Sequence, residues 1–276
     1  MRVEVVTEAA PGRAANEDHA FHSGDLVGVL DGVTVPAGVD SGCVHGPAWY
    51  VRQLAGHLER TATGSRSLVD GLAAAIESVR VDHGGVCDPD HPNTPAASLA
   101  LARVIGDRLE YLLLCDAYLV LDVGDRVEVV TDERFAVAVA GIRRAALTGA
   151  VIGSAEQQEQ VRWAALQRQR LTNHAGGYWI AAADPAAAYE AVTGSVPLTG
   201  AVRVRRAALL TDGASCAVDR YRLYDWRGLL DLVTDHGPAR LIRDVRALEA
   251  ADATGQARPR YKRHDDASVV LCRFGA

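Results

Sequence analysis

Carboxylates recur along this chain in five short segments: Arg13-Ala-Ala-Asn-Glu17-Asp18, Val29-Leu-Asp31-Gly32, Leu114-Cys-Asp116, Leu210-Thr-Asp212-Gly213 and His264-Asp265-Asp266. Three of them share one grammar, a short apolar run with an aspartate at its end. A buried strand gains nothing by finishing on a bare carboxylate, because an unpaired buried charge is expensive. Several strands that end this way imply that their acids meet, and acids that meet need a cation between them. Hard dications such as Mg²⁺ or Mn²⁺ take such oxygen ligands.

The elements that must position these acids follow from periodicity. Residues 3–7 and 26–30 read as strands, the second buried, and 33–46 as a loop of Gly, Pro and small side chains. Val51, Leu54, Ala55 and Leu58 recur at helical spacing, as do Leu68, Leu72, Ala75, Ile76 and Val79. A second loop covers 83–95. Strand-like runs at 97–105, 108–115, 118–123 and 127–131, with turn signals at Gly106-Asp107 and Gly124-Asp125, predict an antiparallel meander. Ser154 with Gln157 predicts a capped helix over 155–171. Residues 177–182 and 207–211 read as strands, 226–234 and 238–250 as helices, and 267–274 as a closing strand. Strand and helix do not alternate regularly, so the class is α+β, with helices covering antiparallel sheets.

Bulk properties narrow the function classes. The chain has 276 residues, 49% of them hydrophobic, with no break in composition, so a single domain over 1–276 is expected. Net charge is −6, and the basic residues, all arginine except Lys262, are scattered; no nucleic-acid stripe results. The first residues are too few and too charged for a signal peptide, and no apolar run approaches the ~20 residues of a membrane span. Five dispersed cysteines without a C-x-x-C pair predict reduced thiols and a cytoplasmic protein, and the nine histidines form no metal motif. The Ser98 hydroxyl has no recognisable His/Asp partners, which argues against a serine hydrolase.

Taken singly, each acidic segment has a plain explanation. Asp31-Gly32 and Asp212-Gly213 are turn dipeptides, Glu17-Asp18 and Asp265-Asp266 exposed pairs, Arg13 a surface charge. Together and in order, the segments resemble the metal-dependent PP2C (PPM) phosphatase family over nearly the whole chain. Arg13–Asp18 is similar to its R-x-x-N-E-D, Val29–Gly32 to its V-x-D-G, Leu210–Gly213 to its T-D-G, and His264–Leu271 to its D-N/D-x-[ST]-V strand. Thr94–Leu99 and Cys115–Leu119 stand where the family has its G-S-T-A and G-D-S-R segments.

The resemblance implies a four-layer α-β-β-α sandwich of two antiparallel sheets flanked by helices, with a binuclear Mn²⁺ or Mg²⁺ centre at one end. Asp31 would bridge the two ions and the Gly32 carbonyl would bind one. Glu17, Asp212 and Asp265 would bind the other, and Asp18 would orient water. Asp116, with Asp212, matches the position of a third ion in bacterial relatives, and Arg13 would grip the substrate phosphate. The implied reaction is hydrolysis of phosphoserine or phosphothreonine in proteins by a hydroxide held between the ions. Such ions acidify water near neutral pH and offset charge on the phosphoryl oxygens.

Departures bear on the substrate. Asp31-Gly32 continues Val-Thr-Val-Pro rather than with the family's His-Gly-Gly, so Val33 cannot act as general acid. Cys115 replaces a glycine, and 132–176, where relatives carry a substrate-contacting flap, matches poorly. A small phosphorylated metabolite is therefore a second substrate class. A catalytically weak regulatory domain is a third reading, against which the survival of all the acids speaks.

Overall fold

The computed structural model describes residues 1–149 and 151–275. In chain order it has β1 (Arg2–Glu8), β2 (Asp18–Ser23), β3 (Leu26–Gly32), α1 (Pro47–Thr61), α2 (Leu68–Asp82), β4 (Ala97–Ile105) and β5 (Arg108–Leu114). There follow β6 (Tyr118–Val123), β7 (Arg126–Val130), α3 (Glu133–Leu147), α4 (Ala155–Gln169), a 3-10 turn (Pro185–Glu190), β8 (Val192–Pro197) and β9 (Val204–Leu210). The rest is α5 (Asp212–Asp219), α6 (Trp226–His236), α7 (Pro238–Ala251) and β10 (Ala267–Arg273).

Two antiparallel sheets result, ordered β1-β10-β9-β6-β7 and β2-β3-β4-β5-β8. Side-chain alternation assigns their faces. Val27, Val29, Ala100, Ala102, Ala207, Leu209, Val270 and Cys272 are packed between the sheets. Their neighbours Leu30, Leu99 and Leu101 turn outward onto Leu54, Leu58, Leu72 and Ile76 of α1 and α2. On the other side Ala208, Leu210, Val269 and Leu271 meet Leu229, Ile242 and Val245 of α6 and α7. Each large side chain so buried contributes about 1.5–3 kcal/mol before entropy is set against it. The expected α-β-β-α layering is thus the observed one, and the amphipathic stripes of α1, α2, α6 and α7 are the faces that make it.

Two local expectations are corrected. The strands from 97 to 130 do not form one meander: β4 and β5 pair in one sheet, β6 and β7 in the other, and the chain crosses between sheets at Cys115–Ala117. Residues 177–182 are no ladder strand; single bridges, Thr172 to Tyr178 and Ala97 to Ala181, hold that stretch. Gly177 cannot carry a side chain there, since a Cβ would lie 1.9 Å from the Leu171 carbonyl oxygen. Residues 132–176, the stretch that matches the family poorly, fold mainly as the packed pair α3 and α4, of which only the second is predicted from the sequence. The cap predicted at Ser154 is present, its hydroxyl accepting from the Gln157 N–H at 3.1 Å.

Candidate metal centre

The apolar interior face of the sandwich becomes polar at one end. On β3, Asp31 continues the inward series of Val27 and Val29, and antiparallel register sets it directly opposite Asp18 on β2 and Ser98 on β4. Directly opposed residues share a face. From the facing sheet, Thr211 follows β9, and its hydroxyl donates to Asp18 Oδ2 at 2.7 Å. Asp212 follows as the first residue of α5, where the helix N-terminus favours negative charge. Asp116 lies on the crossover between sheets. Its predecessor, Cys115, has φ of 66°, a left-handed backbone that costs a non-glycine residue about 1–2 kcal/mol.

Asp31, Asp116, Asp212 and Asp265 line one cavity of about 200 Å³. Asp18 is buried beside it against Thr211, and among the described residues its Oδ1 has no hydrogen-bond partner. Gly32 is needed as glycine by close approach: a Cβ would sit 2.7 Å from the Glu17 carbonyl oxygen, which accepts the Gly32 N–H. Phe135, Val139 and Val161 of α3 and α4, with Tyr178 and Ile180, form an apolar wall. Tyr178 and Ile180 thus both pack in a hydrophobic cluster and face the cavity.

The electrostatics show carboxylates crowded in a desolvated place. Burial pushes Asp31 well above its usual range, and Asp18, Asp212 and Asp265 push it further. Burial does the same to Asp18, against the hydrogen bond from Thr211. Asp212 is pushed up to about 7 by burial, then by Asp265 and Asp116, with Arg220 and Lys262 opposing. Asp116 is raised by burial, while hydrogen bonds from its own backbone, Cys115 and Ser98 favour its charged form.

Lys262, in composition only the sole lysine, is the residue that sequence reasoning missed. Its Nζ bonds Asp265 Oδ1 at 2.6 Å, inside the acid cluster. Burial, which by itself would lower its pKa, is outweighed by Asp265, Asp31 and Asp212, and the ammonium is held above its usual value. Its position at the end of the irregular 252–262 stretch left no periodic signal. Arg220, 3.8 Å from Asp212, is a second cation at the edge. Lys262 and Arg220 pair with Asp265 and Asp212, but among the described residues Asp18, Asp31 and Asp116 are in no ion pair. This excess of hard oxygen donors, with an orphaned buried Asp18 oxygen, fits Mg²⁺ or Mn²⁺.

The other expected residues lie differently. Glu17 does not line the cavity; its carboxylate accepts from Arg13 and from the Thr34 hydroxyl. Arg13 is accordingly engaged with Glu17 at the surface. Asp266 is structural: it accepts the N–H of Ala10 at 2.6 Å and of Glu17 at 2.7 Å, tying the segment before β2 to β10. His264 turns to Glu249, 2.8 Å away, rather than to the cluster. Arg143 of α3 and Arg168 of α4 do line the cavity, and among the described residues neither makes an ion pair.

No protein-family model matches the sequence, and no curated protein does. Solved structures do match in shape. The serine/threonine phosphatase PstP/Ppp of Mycobacterium tuberculosis superposes with a TM-score of 0.60 at 14% identity, covering 100% of this chain and 99% of its own. MsPP, a PPM Ser-Thr phosphatase from Mycobacterium smegmatis in complex with cacodylate, gives 0.55 at 19% identity over 100% and 99%. The catalytic domain of PstP in complex with two manganese ions gives 0.56 at 16% over 98% and 96%. No helix among the described residues is long and apolar enough to cross a membrane. From end to end, the chain has the PP2C-like fold of these bacterial PPM phosphatases.

Proposed function

We propose that residues 1–276 act as one metal-dependent phosphomonoester hydrolase, with phosphoserine and phosphothreonine in proteins as substrates. The observation that carries this reading is the convergence of Asp18, Asp31, Asp116, Asp212 and Asp265, from five separate segments, on one desolvated end of the sandwich. Similarity to PstP, with its two manganese ions, supports Mn²⁺ or Mg²⁺ as the ions.

Asp31, the Gly32 carbonyl, Asp212 and Asp265 are the groups that would hold two ions, and Asp116 with Asp212 would hold a third, weaker one. When bound, such ions acidify water and offset charge on phosphoryl oxygens. The free Asp18 oxygen is an acceptor that orients water toward phosphorus. Arg168 and Arg143, unpaired at the cavity, receive the phosphoryl group, where a guanidinium can bond two oxygens at once. Arg13 reaches that group only by leaving Glu17, and Glu17 reaches an ion only by leaving Arg13 and Thr34. Phe135 and Val139 keep bulk water from the reacting atoms.

The roof of α3 and α4 over a narrow cavity favours the second substrate class, small phosphorylated metabolites, as the alternative. Purified protein with Mn²⁺ is expected to hydrolyse p-nitrophenyl phosphate and to lose this activity in EDTA. Phosphopeptides assayed beside sugar and nucleotide phosphates then separate the substrate classes. Absence of Mn²⁺-dependent hydrolysis with all of them sinks the enzyme reading.

Lys262 offers a further check. A fixed ammonium among the ligands opposes a dication, by several kcal/mol at ~4–5 Å and an effective dielectric near 20. Lys262→Met is expected to tighten Mn²⁺ binding by at least about tenfold, read by calorimetric titration. Unchanged or weaker binding removes Lys262 from the centre's charge balance.

A further inference from the structure

Cys43 and Cys87 are far apart in sequence, and the histidines form no motif, yet the fold gathers two of each at one place. The Sγ of Cys43 lies 3.3 Å from the Sγ of Cys87, 3.7 Å from Nδ1 of His45 and 3.6 Å from Nδ1 of His83. Cys87 Sγ is 3.3 Å from His45 Nδ1, and the four ligand atoms all fall within 4.8 Å of one another. With Zn–S near 2.3 Å and Zn–N near 2.0–2.1 Å, a tetrahedral ion needs ligand–ligand edges of about 3.3–3.8 Å. The three S–N contacts bracket the edge of about 3.6 Å that such an ion needs, and the S–S contact of 3.3 Å is somewhat shorter than its edge of about 3.8 Å. The sulfurs stand well outside the ~2.05 Å of a disulfide, and both cysteines are free.

The surroundings are those of a built site. His83 caps α2, its N–H bonded to the Val79 carbonyl, and Gly84 and Gly85, both at positive φ, reverse the chain so that Cys87 returns to it. The His45 N–H points to Cys43 Sγ at 3.3 Å, the kind of donor that supports a thiolate ligand. Trp49 stacks on the His45 ring at 4.2 Å and lies 4.9 Å from that of His83, which fixes both imidazoles beside an apolar wall. The Asp88 N–H also bonds the Gly42 carbonyl at 2.8 Å, so the two ligand-bearing loops are laced together.

We propose that Cys43, His45, His83 and Cys87 bind one structural zinc ion, which staples the loop after β3 to the end of α2. Two thiolates and two imidazoles in a tetrahedron select zinc and disfavour Mg²⁺ and Mn²⁺, so the site is chemically distinct from the carboxylate cluster. The stapled loop is the one that carries Thr34 and Pro36 to the cavity wall.

The test is elemental analysis of the full chain purified without added metal. About one zinc per chain is expected, retained in Asp31→Asn and Asp212→Asn and lost in Cys43→Ser and His83→Ala. If the cysteine variant fails to fold, wild type reconstituted with Co²⁺ decides, since only thiolate ligation produces thiolate-to-cobalt charge-transfer absorption with tetrahedral ligand-field bands. Zinc-free wild type with a Cys43–Cys87 disulfide by mass overturns the proposal. So does zinc that disappears with Asp31 or Asp212 and persists without Cys43.

Discussion

Asp31→Ala is expected to lower Mn²⁺-dependent hydrolysis of p-nitrophenyl phosphate by at least ~10²-fold, and Asp212→Ala by a similar factor, in keeping with loss of an ion from the centre. Asp31 has charged neighbours from both sheets: Asp18 opposite on β2, then Asp212 and Asp265 from the facing sheet's end, with Lys262 opposing them. Removing it leaves no single group placed to serve both sides. Inactivity alone would not separate a lost ion from a lost fold, but the electrostatics do. Asp31 is a half-buried carboxylate, desolvated and crowded by other acids, so without metal its removal relieves repulsion. The metal-free variant should therefore melt no lower than metal-free wild type near pH 8, although it is inactive. Variants with activity within about threefold of wild type would falsify the proposed centre.

The second large effect is a metal-dependent reversal in stability against pH. Asp18, Asp31, Asp116 and Asp212 all have folded-state pKa values raised above those of the unfolded chain, the first two well above and Asp212 to about 7. A raised carboxylate contributes stability that is fully present below its unfolded value, near 4, and is lost as pH rises through its folded value. His19 and His83, lowered by burial, act in the opposite sense but only up to about pH 6.5. Asp90 and Asp252, lowered by their hydrogen bonds, act below about pH 4. Between about pH 6.5 and 8.5 the clustered acids dominate. Protein dialysed free of Mg²⁺ and Mn²⁺ with a weak chelator should lose melting temperature across that window. Mn²⁺ at ~100 times its Kd should restore about 5–10 °C at the alkaline end, from roughly 2.7 kcal/mol of binding linkage. A metal-free melting temperature that climbs through the window, or one that Mn²⁺ leaves unmoved, contradicts the cluster's electrostatics.

The residues explain which parts were legible beforehand. Asp31 and Asp212 announce themselves because each ends a buried apolar run, and α1, α2, α6 and α7 carry apolar stripes at helical spacing. Helix α3 escaped because it buries only Val139, Ala146 and Leu147 against a largely exposed remainder. Helix α5 escaped for the opposite reason: Gly213–Ala217 are all buried, so no polar face betrays the period. Strand β2 reads Asp-His-Ala-Phe-His-Ser, too polar to signal a ladder, yet it supplies Asp18. The sheet change at Cys115–Ala117 has no local code, since hairpin signals look alike whichever sheet receives them. Lys262 and the Cys43–Cys87 pairing depend on contacts that exist only once distant loops meet, so no window of neighbouring residues contains them.

Strand order has a consequence for synthesis on the ribosome. β10 lies between β1 and β9, so β1 has no partner in its sheet until the residues up to Arg273 have emerged. Asp266, which secures the segment before β2, arrives equally late. A nascent chain thus exposes β1 as an unpaired edge for most of its translation, the kind of edge that invites chaperones or aggregation. Chains truncated before β10 should be recovered as insoluble or chaperone-bound material, however intact their remaining motifs.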